Sequence, residues 1–478
     1  MSIVRRVARN TFFLVLARIV TTAVSIALVI CAARRLGEAG FGTYSFILVF
    51  IAYFLPVAGF GTRDFLVREI SREKQKAGFY LCNALILNIL TGAAAVALSL
   101  SVAYFAGGLA GMRVPLLIAC VSLIPTAIFT SYDAAFRAFE KMEYTALVEM
   151  AWAGARVIAS IAALLMGLRL TALFCIFTGA EIMKALHAHL LCRARIARVE
   201  WNPRPALVGQ LARKSYPLML WALFAIIYYK VDVFMLMLMR GPGEVGWYTA
   251  AYRVIDTLTM FGLMTMQALL PVLSELHASS PDRFSALFAA MRTSVLVVFL
   301  AVATGLTLSS GAIVAVVFGP QYAPAAPLLA ILAWASILIV YTYLFGNVLI
   351  AADHYVFAVK AIAVTACVMV AANWLLIPQY GARGAAFATL LGELVTFVVL
   401  SLYLRARVVR VAARGTALRC LPALAVSCGA IACAQAGWAP WYAVLPAYLV
   451  FHCGAVAASG LVTAADWGYL KRVIRREA

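Results

Sequence analysis

Charged side chains are scarce in this chain, at 12% of residues, and acids are scarcest of all, with 19 Asp and Glu against 39 Lys and Arg. Soluble domains carry about 25% charge, so a fold bathed in water on all sides is excluded. No polar interval is long enough to house a separate soluble domain. The 10 cysteines show no CxxC spacing and no set of external pairs, which argues against zinc sites and a disulfide framework. Most of them fall inside apolar stretches, where a thiol serves as a small packing group. Histidine is as thin: His187 and His189 diverge on a helix, and His277, His354 and His452 lack acidic neighbours at metal-ligand spacing, so no metal site is expected. The absence of a phosphate-binding loop excludes ATP hydrolysis by this chain, and no catalytic constellation marks it as an enzyme.

Apolar sequence fills the space those absences leave, with 65% hydrophobic residues and a mean hydropathy of +0.97. A helix needs about 20 apolar residues to cross hydrocarbon. Stretches of that length occur at 11–33, 41–62, 79–106, 114–137, 143–167 and 170–191, then at 218–239, 247–272, 291–317, 324–351, 355–377, 382–404, 417–436 and 441–463. The expected fold class is an all-α integral membrane protein of about 14 transmembrane helices. Most Lys and Arg fall in alternate loops, leaving only Arg34, Arg35, Arg113, Arg169, Arg240 and Arg383 on the other side. Basic residues near span ends stay in the cytoplasm, which puts both termini there. The net charge of +20 therefore reports topology, with attraction to anionic membrane lipids as a side effect, and implies no nucleic-acid partner.

The chain also repeats. Gly37-Glu38-Ala39-Gly40-Phe41 returns as Gly243-Glu244-Val245-Gly246-Trp247, and Glu143-Tyr144 as His354-Tyr355. Gly167-Leu168-Arg169 matches Gly381-Ala382-Arg383, and Gly179-Ala180-Glu181 is echoed by Gly392-Glu393. Their common order predicts two pseudo-symmetric six-helix bundles, 1–192 and 218–405, joined by a basic connector at 193–217. A helix pair with a basic tail, 406–478, is appended. Six is even, so both bundles insert the same way up, and a cavity between them is the expected place for a substrate.

Ten ionisable residues lie within or near the spans. At about 3 kcal/mol apiece, ten lipid-facing charges would cost on the order of 30 kcal/mol, so they must pair, reach an interface or face a wet cavity. Substrate-binding candidates are Arg18, Arg156, Lys184, Lys230, Asp232 and Arg253, and coupling-ion candidates are Glu149, Glu181, Asp256 and Glu393. Arg18 shares a polar stripe with Thr11, Thr22 and Ser25, and its guanidinium suits a diphosphate. It lies about 10 Å of helix rise from the span's start, so snorkelling to the interface also accounts for it. Glu149 and Arg156, seven apart, share a face; Glu181 with Lys184 and Arg253 with Asp256 are spaced as intrahelical pairs. Lys230 and Asp232 diverge and need partners on other helices. Glu393 has no base three or four residues away and is open to protonation, to pairing with a facing Arg or to ion binding. Among the aromatics, Trp221, Tyr228, Tyr229, Tyr248, Tyr252, Tyr341 and Tyr343 either stack on sugar rings or pack.

Four blocks carry a family resemblance: Ala33-Arg34-Arg35-Leu36-Gly37 through Phe41-Gly42-Thr43-Tyr44 to Arg68-Glu69-Ile70-Ser71; Val231-Asp232-Val233 with Gly246-Trp247-Tyr248-Thr249-Ala250-Ala251-Tyr252-Arg253; Phe318-Gly319-Pro320-Gln321-Tyr322-Ala323-Pro324; and Asn373-Trp374-Leu375-Leu376-Ile377-Pro378-Gln379-Tyr380-Gly381. In these the chain resembles the polysaccharide and lipid-linked oligosaccharide flippases of the multidrug/oligosaccharidyl-lipid/polysaccharide exporter superfamily. The resemblance implies a multi-pass protein of the bacterial cytoplasmic membrane that moves undecaprenyl-diphosphate-linked oligosaccharide from the inner to the outer leaflet by alternating access. It implies no cofactor beyond a coupling H+ or Na+, and partnership with a polysaccharide polymerase or glycosyltransferase. Cation-coupled multidrug efflux and a membrane glycosyltransferase or polymerase are the alternatives. The latter would need an extended outer loop, which the sequence lacks.

Overall fold

The computed structural model describes the backbone of residues 3–105, 111–409 and 413–459, and the side chains of 19–105, 111–409 and 419–459. The described residues form 15 α-helices and short 3-10 turns: α1 (Ile3–Gly59), α2 (Thr62–Arg72), α3 (Ala77–Phe105), α4 (Arg113–Val121), α5 (Leu123–Ala138), α6 (Met142–Leu165), α7 (Leu170–Arg195), α8 (Pro205–Arg240), α9 (Pro242–Ser279), α10 (Pro281–Val317), α11 (Ala325–Ala351), α12 (Tyr355–Tyr380), α13 (Ala382–Arg407), α14 (Ala413–Gln435) and α15 (Trp441–Ala458). Among the described residues every expected apolar stretch is helical over most of its length. The first two lie within α1, which Gly37 breaks with a φ of 71° and a ψ of 178°. The fourth is divided between α4 and α5 at Ser122. With 12 helical segments long and apolar enough to cross a bilayer and a shorter one at Arg419–Gln435, the protein is a multi-pass membrane protein. Helices α8, α9 and α10, at 36 to 38 residues, are nearly twice the length a bilayer requires, so they extend beyond the hydrocarbon.

The chain divides into two compact units, Met1–Lys230 and Val231–Ala478. In the first, α1 packs on α6 and α3, α3 on α5, and α7 on α6 and α5. The basic loop expected after the second span is instead the amphipathic α2, whose Phe65, Leu66 and Ile70 are buried against α5. A dry polar knot secures it: Thr62 donates to Asn88, and Asn88 donates to Ser131 at 2.8 Å and to the Ala127 carbonyl at 3.1 Å. Most of the basic connector is helical too, and only 196–204 lies outside α7 and α8. That segment is pinned to the start of α3. The Arg204 amide donates to Asn83 at 2.7 Å, Asn83 donates to the Asn202 carbonyl, and Glu200 donates to the Gly78 carbonyl. A Cβ at Gly78 would come within 2.3 Å of the Arg198 carbonyl, so only glycine permits this approach.

In the second unit α11 is the innermost helix, packed by α9, α10 and α13, with α12 on α13. The C-terminal hairpin of α14 and α15 docks on α10. His452 meets the Val297 carbonyl at 3.2 Å, and Tyr448 donates to the Leu300 carbonyl and meets Ser427. One turn is held by ionic contacts: Arg240 donates to the carbonyls of Ile377 and Pro378 and lies 3.8 Å from Glu244, whose carboxylate accepts from the Ala382 amide. Between them Gly381 has a φ of 57°, and a Cβ there would come within 2.1 Å of Glu244. Gly381→Ala is therefore expected to cost about 2 kcal/mol through strain and displacement of Glu244. A thermal melt in detergent unchanged by the substitution would contradict this.

Ten free cysteines agree with the absence of a disulfide framework, though only Cys82, Cys120, Cys192 and Cys420 are buried; Cys175, Cys367, Cys428 and Cys453 are exposed on helix surfaces. One buried charge is missing from the ten picked out above. Asp133 on α5 is 4% exposed and accepts from Arg137 and Thr145, both at 2.8 Å. Its replacement by alanine strands a half-buried guanidinium, and a loss of about 3 kcal/mol is expected. Guanidinium-free heat denaturation of the variant, compared with the parent protein, measures it.

Candidate functional site

The first unit gathers three polar side chains around one carboxylate. Glu181, on α7, is 7% exposed. Lys184, one turn later on the same helix, makes a close ion pair with it, and Arg156 reaches across from α6 to 4.0 Å. From α5, Thr126 donates to Oε2 at 3.1 Å. The cations are also held by rings, Lys184 Nζ 4.7 Å from the centre of Phe129 and the Arg156 guanidinium 5.3 Å from that of Phe177. Cation–ring attraction strengthens with desolvation, so these contacts fix both charges in the apolar interior. Two cations against one anion leave a surplus positive charge among these residues. The 3-residue spacing of Glu181 and Lys184 was legible; the partner of Arg156 was not, because it lies on another helix.

The second unit brings acids together. Asp232, on α8, is 2% exposed; it accepts the Val233 amide at 2.7 Å and the Tyr248 hydroxyl of α9. Tyr248, fully buried, also meets Thr389 of α13 at 3.0 Å. The Tyr252 ring lies 5.7 Å from that of Tyr248, and its hydroxyl is within electrostatic reach of Asp232, Asp256 and Glu393. Glu393, 5% exposed on α13, accepts from Thr342 of α11 at 3.0 Å. Thus three of the candidate acids, from three helices, lie within electrostatic reach of Tyr252, and one of them bonds Tyr248.

In both clusters a threonine hydroxyl donates to the buried glutamate. The structure also corrects the repeat's register. Gly167 and Gly381 do match as left-handed turn residues, but the other left-handed pair is Glu140 and Asp353, which aligns Lys141 with His354 and shifts the Glu143-Tyr144 match by two residues. The break at Gly37 likewise has its conformational twin at Gly241, not Gly243. Met369 lies as far beyond Arg156 as Asp353 lies beyond Glu140, and Thr396 follows Glu393 at the spacing at which Lys184 follows Glu181. Met369 abuts Gly392, and Thr396 bonds Thr365 at 2.8 Å. Beside Glu393, as beside Glu181, a threonine donates to the carboxylate, but the residue one turn on is Thr396 where Glu181 is followed by Lys184.

Arg18 and Thr11 lie outside the described side chains. Glu149 and Lys230 are half-buried, and Arg253 is exposed while Asp256, one turn on, is not. Of the aromatics, Tyr228, Tyr248 and Tyr341 are buried packing residues, whereas Trp221 and Tyr229 are exposed. His187 and His189 accept from, or pair with, Trp152 and Tyr132, and no metal-binding cluster occurs among the described residues. Sequence reasoning missed Thr126, Thr342 and Thr389, since threonine is unremarkable within an apolar span.

The polysaccharide biosynthesis protein family model matches residues 7–277, and the model for the lipid II flippase MurJ matches 144–451. No curated protein sequence matches. The fold is similar to that of lipid II flippase MurJ in an inward closed conformation, with a TM-score of 0.77 at 12% identity over 94% of this chain and 98% of that one. It is also similar to a multidrug resistance MATE family transporter of the MOP superfamily in an inward-facing conformation (TM-score 0.67, 14% identity, 81% and 94% covered). A third similar structure is a MOP superfamily transporter from Pyrococcus furiosus with reverse polarity of its binding pocket (TM-score 0.54, 15% identity, 84% and 95% covered).

Proposed function

The chain belongs to the polysaccharide biosynthesis protein family of the MOP superfamily, and from that premise we propose that it flips a diphosphate-linked oligosaccharide lipid across the bacterial cytoplasmic membrane. A sugar and a diphosphate cannot enter hydrocarbon without losing their hydrogen bonds to water, whereas the lipid tail can. The observation that carries the reading is the Arg156–Glu181–Lys184 cluster, cationic by one charge and set within two apolar helices. On arrival of a diphosphate both cations exchange a carboxylate for phosphate oxygens. Glu181 is the internal counter-ion that keeps the empty site affordable.

Asp232, Asp256 and Glu393 supply the coupling site in this reading: three acids in a tyrosine-lined interior favour a bound cation, H+ or Na+, and give each half of the duplicated bundle its own task. The working parts are 1–192 and 218–405, with both termini cytoplasmic and a polymerase or glycosyltransferase as the downstream partner. The same acids support a second reading, cation-coupled efflux of cationic drugs. Deleting the gene separates the two. Lipid-linked oligosaccharide is expected to accumulate on the inner leaflet; unchanged lipid intermediates with loss of drug resistance would overturn the flippase reading in favour of efflux.

A further inference from the structure

A second cationic site lies away from both clusters. Where α10, α11 and α13 meet, a cavity of about 270 Å³ is lined by Arg292 and Arg405, by Ser401, and by the rings of Phe288, Phe345 and Phe397. The rings form one continuous wall, Phe345 lying 6.0 Å from Phe288 and 5.6 Å from Phe397. No acid is among the described residues that line it. Water occupies about 30 Å³ in the liquid, so the space exceeds what a lone hydrated ion requires and accepts a head group together with the start of a chain.

Its depth is set by the helices. Arg405 sits in the last turn of α13. Arg292 is eleven residues into α10, whose 37 residues outrun the hydrocarbon, so the arginine falls where the apolar run begins. Both guanidiniums therefore lie at the same end of the spans, where a bilayer has its phosphates, while Phe397, two turns before Arg405, carries the ring wall into the apolar run. From Glu393 to Arg405 is twelve residues of helix, about 18 Å, which separates the guanidinium end of this cavity from the acidic cluster. It adjoins the junction with the C-terminal hairpin: Val409, just past α13, lines it, and Arg292 is in electrostatic reach of Cys420 on α14.

We propose that the Arg292–Arg405 cavity binds an anionic glycerophospholipid of the inner leaflet, the phosphate held by the two guanidiniums and the first carbons of an acyl chain lying on the Phe288–Phe345–Phe397 wall. Basic pockets between helices on the cytoplasmic side suit such head groups, and a planar fork suits a phosphodiester better than an ammonium does. The assignment to the inner leaflet rests on the topology adopted above; the binding chemistry does not.

The test is native mass spectrometry of the delipidated full-length protein, to which phosphatidylglycerol or phosphatidylcholine is returned. The parent protein is expected to retain phosphatidylglycerol at least about fivefold better. Arg405→Gln should bring that preference close to unity, Arg405→Lys should restore part of it, and Arg283→Gln, outside the cavity on α10, should leave it unchanged. An equal preference in the parent and Arg405→Gln overturns the proposal. So does full displacement by inorganic phosphate, which would mark a free-anion site, or displacement by undecaprenyl phosphate at lower concentration than phosphatidylglycerol, which would mark a carrier-lipid site. Because binding is read without transport, a protein that keeps this preference yet flips nothing would refute the flippase reading and leave the lipid site standing.

Discussion

Replacing Arg156 and Lys184 together by glutamine is expected to cut transport at least about a hundredfold while the protein still inserts in the membrane. Each charge-assisted hydrogen bond to a phosphate oxygen contributes about 1.5–3 kcal/mol, so losing two removes at least about 3 kcal/mol of substrate binding, or two powers of ten. The double variant leaves Glu181 buried with only Thr126 beside it. A stranded carboxylate destabilises in its own right, which would confuse the outcome. The triple variant with Glu181→Gln is the control: it holds no net charge in the cluster and keeps an acceptor for Thr126. If the cations act on substrate, the triple variant stays inactive. Recovery of transport in that variant, assayed in proteoliposomes with a fluorescent lipid-linked sugar, would show that the cluster only holds α6 to α7.

Asp232→Asn is the second large effect. Asparagine keeps the shape and offers a carbonyl oxygen to Tyr248, so the contact among α8, α9 and α13 survives, but the charge is gone. Uptake driven by an imposed Na+ or pH gradient is expected to fall at least about fiftyfold, with gradient-independent exchange less affected. Loss of a neutralising charge for a cation in a water-poor site has this size because Coulomb energies grow as the effective dielectric falls. Gradient dependence equal to that of the parent protein would remove Asp232 from the coupling site. Glu393→Gln should act in the same direction, since Glu393 and Asp232 both lie within reach of Tyr252.

Hydropathy read the helices well because the bilayer imposes one length and one polarity on every span. It merged or divided elements only where backbone chemistry intervenes, at Gly37 within α1 and at Ser122 between α4 and α5. What it could not read was partnership. Glu181 and Lys184 are neighbours on one helix and their contact follows from spacing, but the approach of Arg156 depends on how α6 packs on α7. Tyr248 and Thr389 stand 141 residues apart, and nothing local in either announces the other. The amphipathic α2 hid in a basic loop because eleven residues fall short of a span, and its apolar face shows only at helical period. Asp133 escaped notice for the opposite reason: Arg137, one turn on, made it look like part of a polar span end, yet it is almost sealed from solvent.

The paired glutamates also bear on how such transporters diversify. Lys184 stands one turn after Glu181 where Thr396 follows Glu393, so a single side chain on the next turn of helix changes the electrical setting of a buried glutamate. An interior socket in such apolar helices can thus change electrical sign by side-chain replacement alone, without any helix being rebuilt.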